Sequence, residues 1–431
     1  MSVATIPASR RAALQIPRPS MTADKVLWVL LALALVRGLL YAVLNPPFAS
    51  PDELAHFQYV AYLATNGASG PIGDEGHQPV LYYALMVPAY WLTSGQPEAV
   101  QLLAIRIASI PFLLGTVLFT WLAARKMAPS KPFVPIVAAA LVALLPELAY
   151  FGASANNDNA ANLVAALLTY LAVALISSGA YRWTAPVTAV AIGVSLVTKG
   201  QILPVVMISA AVLAGHTAVR TRPPDRWKLA LYAAVPLLLA AALLDGRAGE
   251  RMMEVAATAS SMLVDWPKAS AMAQQSGTDP FSYMFTSFWA AFIGESVRPA
   301  DRWYLVPAGV VLLGGAGYLV ALVSGSTRRA ASRSTVLLRT VLLGMLAGVL
   351  LTAYLRYLYN YQFADQPWRL QILQGRFLHV AIAPLALLVG EGWGLLTPSR
   401  ARAGAGWGIL GLLIAFDVAS LVALASHYAW P

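Results

Sequence analysis

The chain has 431 residues, 59% of them hydrophobic and only 11% charged. A soluble globular chain carries about 25% charged residues, so this composition marks an integral membrane protein. The absence of cysteine excludes disulfides and thiolate metal centres, and five histidines leave little scope for an all-histidine site.

Apolar runs recur along the whole sequence at about the 20 residues that carry a helix across a hydrocarbon core. The alternating pattern of an outer-membrane barrel is absent. The expected fold is therefore all-α and polytopic. Residues 1–24 form a tail with Arg10, Arg11 and Arg18. The first span, Lys25–Leu44, is too long for a signal-peptide core and lacks a clear cleavage site, so it reads as a retained anchor. A long loop, 45–98, follows. Further spans are expected at Val100–Ala124, Phe133–Tyr150, Ala160–Ser178, Thr184–Val197, Ile202–Val219 and Leu229–Leu244, closing a module over 25–244. A second long loop covers 245–302. A C-terminal module, 303–431, holds spans at Trp303–Val323, Val336–Leu358, Phe377–Leu396 and Gly408–Ala425. The count comes to about 11 spans. Leu81–Leu92 and Phe281–Ile293 are apolar and aromatic but short, and read as interfacial helices within the two long loops. The alternative for Leu81–Leu92, a short true span, would flip every later loop.

The net charge of +10 invites a nucleic-acid reading, but the cations are sorted by loop. Most of the 29 basic residues fall in alternate loops, in clusters such as Arg125/Lys126/Lys131, Arg220/Arg222/Arg226/Lys228 and Arg328/Arg329/Arg333/Arg339. Most acids, including Asp52, Glu53, Asp74, Glu75, Asp158 and Asp301, fall in the others. The positive-inside rule explains this sorting, places the N-terminus in the cytoplasm and leaves no nucleic-acid partner to expect. The expected location is a bacterial cytoplasmic membrane, with the acidic loops outside.

The first long loop opens on Ser50-Pro51-Asp52-Glu53-Leu54-Ala55-His56. Ser50 as N-cap, Pro51 at the first helical position and Glu53 at the third would make a capping box. That accounts for Glu53 but not for Asp52. Asp52 and His56, four apart, share a helix face. An aspartate at a helix N-terminus is held ionised, which suits a carboxylate that accepts a hydroxyl proton. Asp52, Glu53 and His56 together also offer oxygen and imidazole ligands of the kind that suit Mn²⁺ or Mg²⁺. Lys199, in a tight turn between apolar spans, breaks the charge sorting and is costly there unless used; snorkelling to external water is the alternative.

Pro51-Asp52-Glu53…His56 resembles the start of the first external loop in GT-C membrane glycosyltransferases, and especially a bacterial membrane family with a Pro-Asp-Glu-x-x-His signature. Four further segments keep that family's order: His77-Gln78-Pro79-Val80-Leu81-Tyr82-Tyr83, Asn156-Asn157-Asp158, Thr198-Lys199-Gly200 and Gln374-Gly375-Arg376-Phe377. Val80 departs from the family by replacing a second proline. The resemblance implies transfer of a sugar from a polyprenyl-phosphate donor to a glycan, lipid or protein acceptor at the outer membrane face. It implies a catalytic base at Asp52, with Glu53 the other candidate acid, and no required cofactor or, as the alternative, a divalent metal on Asp52, Glu53 and His56. Arg376 and Lys199 would stabilise the departing lipid phosphate. His56, His77, Gln78, Tyr82, Tyr83, Asp158 and Gln374 would contact substrate. Tyr82, Tyr83, Trp91, Phe288 and Trp289 would line a sugar or lipid groove, or else sit in an aromatic interface belt. On this reading Asp52→Asn removes turnover and leaves donor binding intact. Two rival readings remain: a transporter or flippase of lipid-linked sugars, and a noncatalytic subunit of a polysaccharide assembly complex.

Overall fold

A computed structural model describes residues 21–67, 74–178, 181–220, 280–293, 296–323, 332–361 and 374–428. They form α1 (Met21–Leu44), α2 (Glu53–Asn66), α3 (Leu81–Leu92), α4 (Glu98–Met127), α5 (Phe133–Ala143), α6 (Pro146–Gly152) and α7 (Asp158–Ser178). Then come α8 (Tyr181–Leu196), α9 (Leu203–Arg220), α10 (Pro280–Trp289), α11 (Leu305–Val323), α12 (Arg333–Tyr361), α13 (Ile382–Leu396) and α14 (Arg402–His427). Among the described residues there is no strand beyond one isolated bridge, Phe292 to Val297. Among the described residues, eight helical segments are long and apolar enough to cross a membrane, nine if the bent pair α5–α6 is one span. The expected span Thr184–Val197 is the shorter helix α8, and Leu229–Leu244 lies outside the described residues.

The expected straight span Phe133–Tyr150 is broken. Pro146 has no backbone N–H to continue the helix and opens α6, which turns 58° from α5. The turn ends the chain's passage at Ser154–Asn157 and so sets where the next functional loop lies. Leu81–Leu92 is a helix over the expected residues, too short to span by length and composition.

The middle of the bundle is held by α7 and by the segment Gly375–Leu396, whose apolar windows are 72% and 83% buried, against 28–44% for the other full-length spans. Inside lipid, helices attract one another by close packing rather than by escape from water, so small residues mark the tight crossings. Ala138, Ala139 and Ala140 on α5 and Ala161, Ala165 and Ala172 on α7 supply such surfaces. Where α11 meets α13, a Cβ on Gly317 would lie 1.9 Å from the Gly392 carbonyl oxygen, so neither position admits a side chain.

Ion pairs mark the two ends of the bundle. At one end Asp24 of α1 meets Arg125 of α4 at 2.8 Å, and Arg339 of α12 meets Glu391 of α13 at 2.8 Å, with the Tyr318 hydroxyl donating to the same carboxylate. At the other end Arg106, on the first turns of α4, reaches the loop after α1. Between them, Arg37 donates from two nitrogens to Asp417, at 2.6 and 2.5 Å, and a third to the Ala143 carbonyl, tying α1, α5 and α14 inside the apolar zone. An isolated charge there would be costly; a paired one serves as a fixed crosslink.

Candidate active site

The residues picked from the sequence meet at the Arg106 end, on segments that each begin or end there. The first is Asn45–Glu53. The expected capping box does not form. The Ser50 hydroxyl pairs with Asn45 and Ser154, the helix begins at Glu53, and Asp52 takes the N-cap position at φ 62°, ψ 1° with no capping hydrogen bond from its side chain. Left-handed backbone is uncommon for a residue with a Cβ, and aspartate is among the few that tolerate it. The outcome is that Asp52 and Glu53 face opposite ways.

Glu53 is fully buried. Both its oxygens accept from Arg106, at 2.8 and 2.6 Å, and one also accepts from the Ala155 amide. Arg106 spends its remaining donors on the carbonyls of Ala42, Asn45 and Pro46. Arg106 thus fastens the Asp52 loop to α4. The sequence reading missed it, although a cation two turns into an apolar span is the signal that would have found it.

Asp52 points into the site with half of its side chain exposed. Its Oδ2 accepts from Arg376 at 2.6 Å. Arg376 is almost fully buried; its guanidinium lies over Phe151 at 4.6 Å and Phe377 at 5.1 Å. The Arg376 Nε stands 4.0 Å from Asp158 Oδ2. Nε and Nη1 have no hydrogen-bond partner among the described residues. Arg376 is placed by Gly375, whose amide donates to the Ser287 hydroxyl and which lies against α10: a Cβ there would fall 2.2 Å from the Phe288 nitrogen and 2.3 Å from the Met284 oxygen.

Asp158 opens α7, but the cap is Asn156, whose Oδ1 accepts from the Asp158 amide at 2.8 Å. The Asp158 carboxylate is therefore available to Lys199, 2.6 Å away. Lys199 also donates to Asn157 Oδ1 at 2.8 Å, and Asn157 donates to Gln78 Oε1 at 3.2 Å. Lys199 is thus buried in a polar network rather than snorkelling. Burial pushes its ammonium down from the ordinary lysine value, and the adjoining Asp158 carboxylate pulls it back up.

A third cation joins them. Arg356, near the end of α12, lies 4.8 Å over the Phe377 ring; Lys199 stands 6.0 Å from the same ring. Three cations therefore surround Phe377, against the two carboxylates Asp52 and Asp158.

His56 is turned away from Asp52. Its Nδ1 pairs with the Tyr83 hydroxyl at 2.9 Å, and Tyr83 stacks on Tyr59. Burial, with the Lys199 charge adding to it, pushes the imidazole down to about 3, so it is neutral at any ordinary pH. Tyr82 and Tyr83 are wholly buried, not groove-lining: the Tyr82 hydroxyl pairs with Ser109 and accepts from the Asn156 amide. Gln78 reaches the network through Asn157; His77 lies in the short turn Asp74–His77, with its side chain outside the described residues. The expected metal set does not assemble, because Asp52, Glu53 and His56 turn to Arg376, Arg106 and Tyr83. No group of three or more potential ligand side chains stands together among the described residues.

Beside the cluster lie two adjoining cavities. The larger, about 340 Å³, is lined only by apolar side chains, among them Phe288, Trp289, Val311, Leu346 and Leu385. The smaller, about 30 Å³, shares Met284, Val349 and Leu378 with it and adds Gln201, Arg356, Gln374 and Phe377. An apolar space thus adjoins a smaller one walled by Arg356 and Phe377, and Lys199 and Arg376 stand against the same Phe377 ring. Trp91 lies on the surface, 59% exposed.

No family model matches the chain, and no curated protein matches it in sequence. Solved structures do. The chain is similar to ArnT from Cupriavidus metallidurans in the apo state, with 15% identity, 94% of this chain and 76% of that one covered, and a TM-score of 0.48. The same protein bound to undecaprenyl phosphate gives 14% identity, the same coverage and a TM-score of 0.46. It is also similar to the archaeal oligosaccharyltransferase AglB from Archaeoglobus fulgidus, in complex with an inhibitory peptide and a dolichol-phosphate. There the identity is 12%, 95% of this chain and 56% of that one are covered, and the TM-score is 0.49.

Proposed function

We propose that this chain is a GT-C-type membrane glycosyltransferase that moves a sugar from a polyprenyl-phosphate donor to an acceptor hydroxyl at the outer face of a bacterial cytoplasmic membrane. The observation that carries the reading is the juxtaposition of an apolar cavity, a smaller cavity walled by Arg356 and Phe377 with Lys199 and Arg376 against the same ring, and the half-exposed carboxylate of Asp52. An isoprenoid chain fits the first, a phosphate the second and an acceptor hydroxyl the third. The motif resemblance over Pro51–His56, His77–Tyr83, Asn156–Asp158, Thr198–Gly200 and Gln374–Phe377 supports the same assignment.

In this mechanism Asp52 takes the proton of the acceptor hydroxyl as its oxygen attacks the anomeric carbon. The bond from that carbon to the phosphate oxygen breaks, and the electron pair leaves with the lipid phosphate. The leaving group is a stable anion that needs charge stabilisation rather than a proton, and fixed cations, the buried Lys199 and Arg376 with Arg356 beside them, supply it. Glu53 is not the base: it is committed to Arg106 and sealed from the cavity side. Asp158 holds Lys199 in place.

A transporter of lipid-linked sugars would be expected to place its polar residues and broken helices at mid-membrane. Here the open polar groups gather at one end of the bundle, and the buried Arg37–Asp417 pair is closed on itself. The deciding experiment is transfer of radiolabelled sugar from a synthetic polyprenyl-phosphate donor by purified protein. Asp52→Asn should lose about 10²- to 10⁴-fold in rate, the usual contribution of a positioned general base. Transfer at the wild-type rate would end the reading of Asp52 as base. No transfer by wild-type protein with any polyprenyl-phosphate sugar and acceptor would favour a noncatalytic subunit.

A further inference from the structure

The Asp52–Arg376 bridge puts the proposed base and the proposed phosphate ligand on each other. With Oδ2 occupied by the guanidinium at 2.6 Å, the Asp52 carboxylate is turned to Arg376 and not to an acceptor hydroxyl. Arg376 is buried, yet Nε and Nη1 lack hydrogen-bond partners, and its Nη2 is held by a carboxylate that is itself half in solvent. The guanidinium therefore has Nη1 unpaired, Nε facing Asp158 only at 4.0 Å, and Nη2 occupied by a displaceable anion. Arg356 and Lys199 add repulsion that a further negative charge would relieve.

We propose that the bridge is a latch: the anionic group of the donor displaces the Asp52 carboxylate from Arg376, and that displacement frees Asp52 to act as base. This rests on the reading of the site as a polyprenyl-phosphate site and adds an order of events to it. Without donor, Asp52 is masked and the acceptor hydroxyl is not activated. With donor, the phosphate takes the three cations and the carboxylate turns to the acceptor. The half-exposed position of Asp52 makes the exchange feasible, since water can solvate the carboxylate as it leaves. The latch also acts against affinity: a ligand that binds only the unlatched state binds more weakly by the fraction of protein unlatched.

That competition has a direct consequence, opposite to the expectation from sequence that Asp52→Asn leaves donor binding unchanged. Removing the charge at position 52 should tighten phosphate binding while it abolishes turnover. An exchangeable, partly solvated pair of this kind is worth a gain of roughly three- to tenfold.

The test measures binding of farnesyl monophosphate, and of farnesol as the uncharged control, to purified full-length protein in detergent micelles. The comparison is wild type against Asp52→Asn and Asp52→Ser. The expected result is tighter farnesyl monophosphate binding by both variants, with farnesol binding unchanged. Equal or weaker farnesyl monophosphate binding by the variants, with wild-type binding intact, would overturn the latch and leave the site assignment standing. An equal gain for farnesol would also overturn it, because the effect would then be steric. No binding of farnesyl monophosphate by any of the three proteins would remove the site assignment, and the latch with it.

Discussion

At the scale of single residues, the two neighbouring acids have opposite fates, and the cause is the left-handed backbone at Asp52. A capping box would have turned the Glu53 carboxylate back to the helix start. Instead Arg106 claims both of its oxygens. Arg106→Met would strand a fully buried carboxylate, and breaking a buried pair from one side costs about 3–5 kcal/mol. The expected outcome is a large fall in thermal stability in detergent, with Glu53→Gln/Arg106→Gln recovering part of it because no charge is then left unpaired. A double variant no better than Arg106→Met would show that the loop carbonyls, not Glu53, are the main partners. His56 supplies a prediction in pH. Its imidazole is depressed to about 3 by burial, so it stays neutral in the folded protein throughout an assay between pH 5 and 8. The transfer rate should therefore show no break near 6.5 that disappears in His56→Gln. In the unfolded chain the same residue protonates near 6.5. A folded pKa below the unfolded one adds stability that is complete above 6.5 and lost as pH falls from there towards 3. His56→Gln should accordingly flatten that part of the stability-against-pH curve. Asp52, Lys199 and Arg376 stood out in the sequence as candidates, Lys199 as a cation in a tight turn between apolar spans and Asp52 and Arg376 by the motifs that hold them. Their pairing was not legible, because a bridge between Asp52 and Arg376 links residues from opposite ends of the chain.

At the scale of elements, helix existence was legible and helix continuity less so. Apolar length alone predicts α1, α4, α9 and α14, and an aromatic run too short to span predicts α3. The break between α5 and α6 was hidden in the apolar composition of the run, although Pro146 carried the signal. The placing of Tyr82 and Tyr83 failed for a related reason. From the sequence the Tyr-Tyr pair reads equally as a groove wall or as part of an interface belt, and its burial against Ser109 and His56 makes it a support instead. The segment Gln374–Arg376 shows how an element positions chemistry. Gly375 lies so close to the α10 backbone that Gly375→Ala must move the short helix Gly375–Ala381 away from Met284 and Phe288. The expected outcome is loss of farnesyl monophosphate binding and of transfer with only a modest fall in melting temperature, since the displacement falls at the first turn of the span Gly375–Leu396 and not in its middle. A variant that melts much earlier would show that the crossing instead holds the bundle together.

At the scale of the whole molecule, the ion pairs say which helix ends lie together, and the charge sorting gives the expectation of which side each end faces. Asp24–Arg125 and Arg339–Glu391 gather the helix ends near Lys131 and Arg400; Arg106–Glu53 and Asp52–Arg376 gather the opposite ends. Exposed Trp28, Trp183 and Trp407 lie on segments that begin at the first of these ends, and Trp91 lies beside the second, as an aromatic belt at each interface would have it. On the positive-inside rule we propose that the first end lies in the cytoplasm. The chain offers a clean test because it contains no cysteine. Single substitutions Lys131→Cys and Arg400→Cys should resist a membrane-impermeant maleimide added to intact spheroplasts and react once the membrane is opened. Gln96→Cys, in the loop between α3 and α4, should react in intact spheroplasts. The three positions bracket α4 and the C-terminal pair of helices, so they report on topology at both ends of the chain. Gln96 protected while Lys131 is labelled would invert the protein and place the Asp52–Arg376 site in the cytoplasm, where a donor presented at the outer face could not reach it. Lys131 and Gln96 on the same side would mean that α4 does not cross the membrane, despite an apolar window long enough to do so. The predicted pattern, with Gln96 alone reactive in the intact membrane, leaves the apolar cavity, the three cations and Asp52 together at the outer leaflet, where a lipid-borne phosphate and a water-borne hydroxyl can meet.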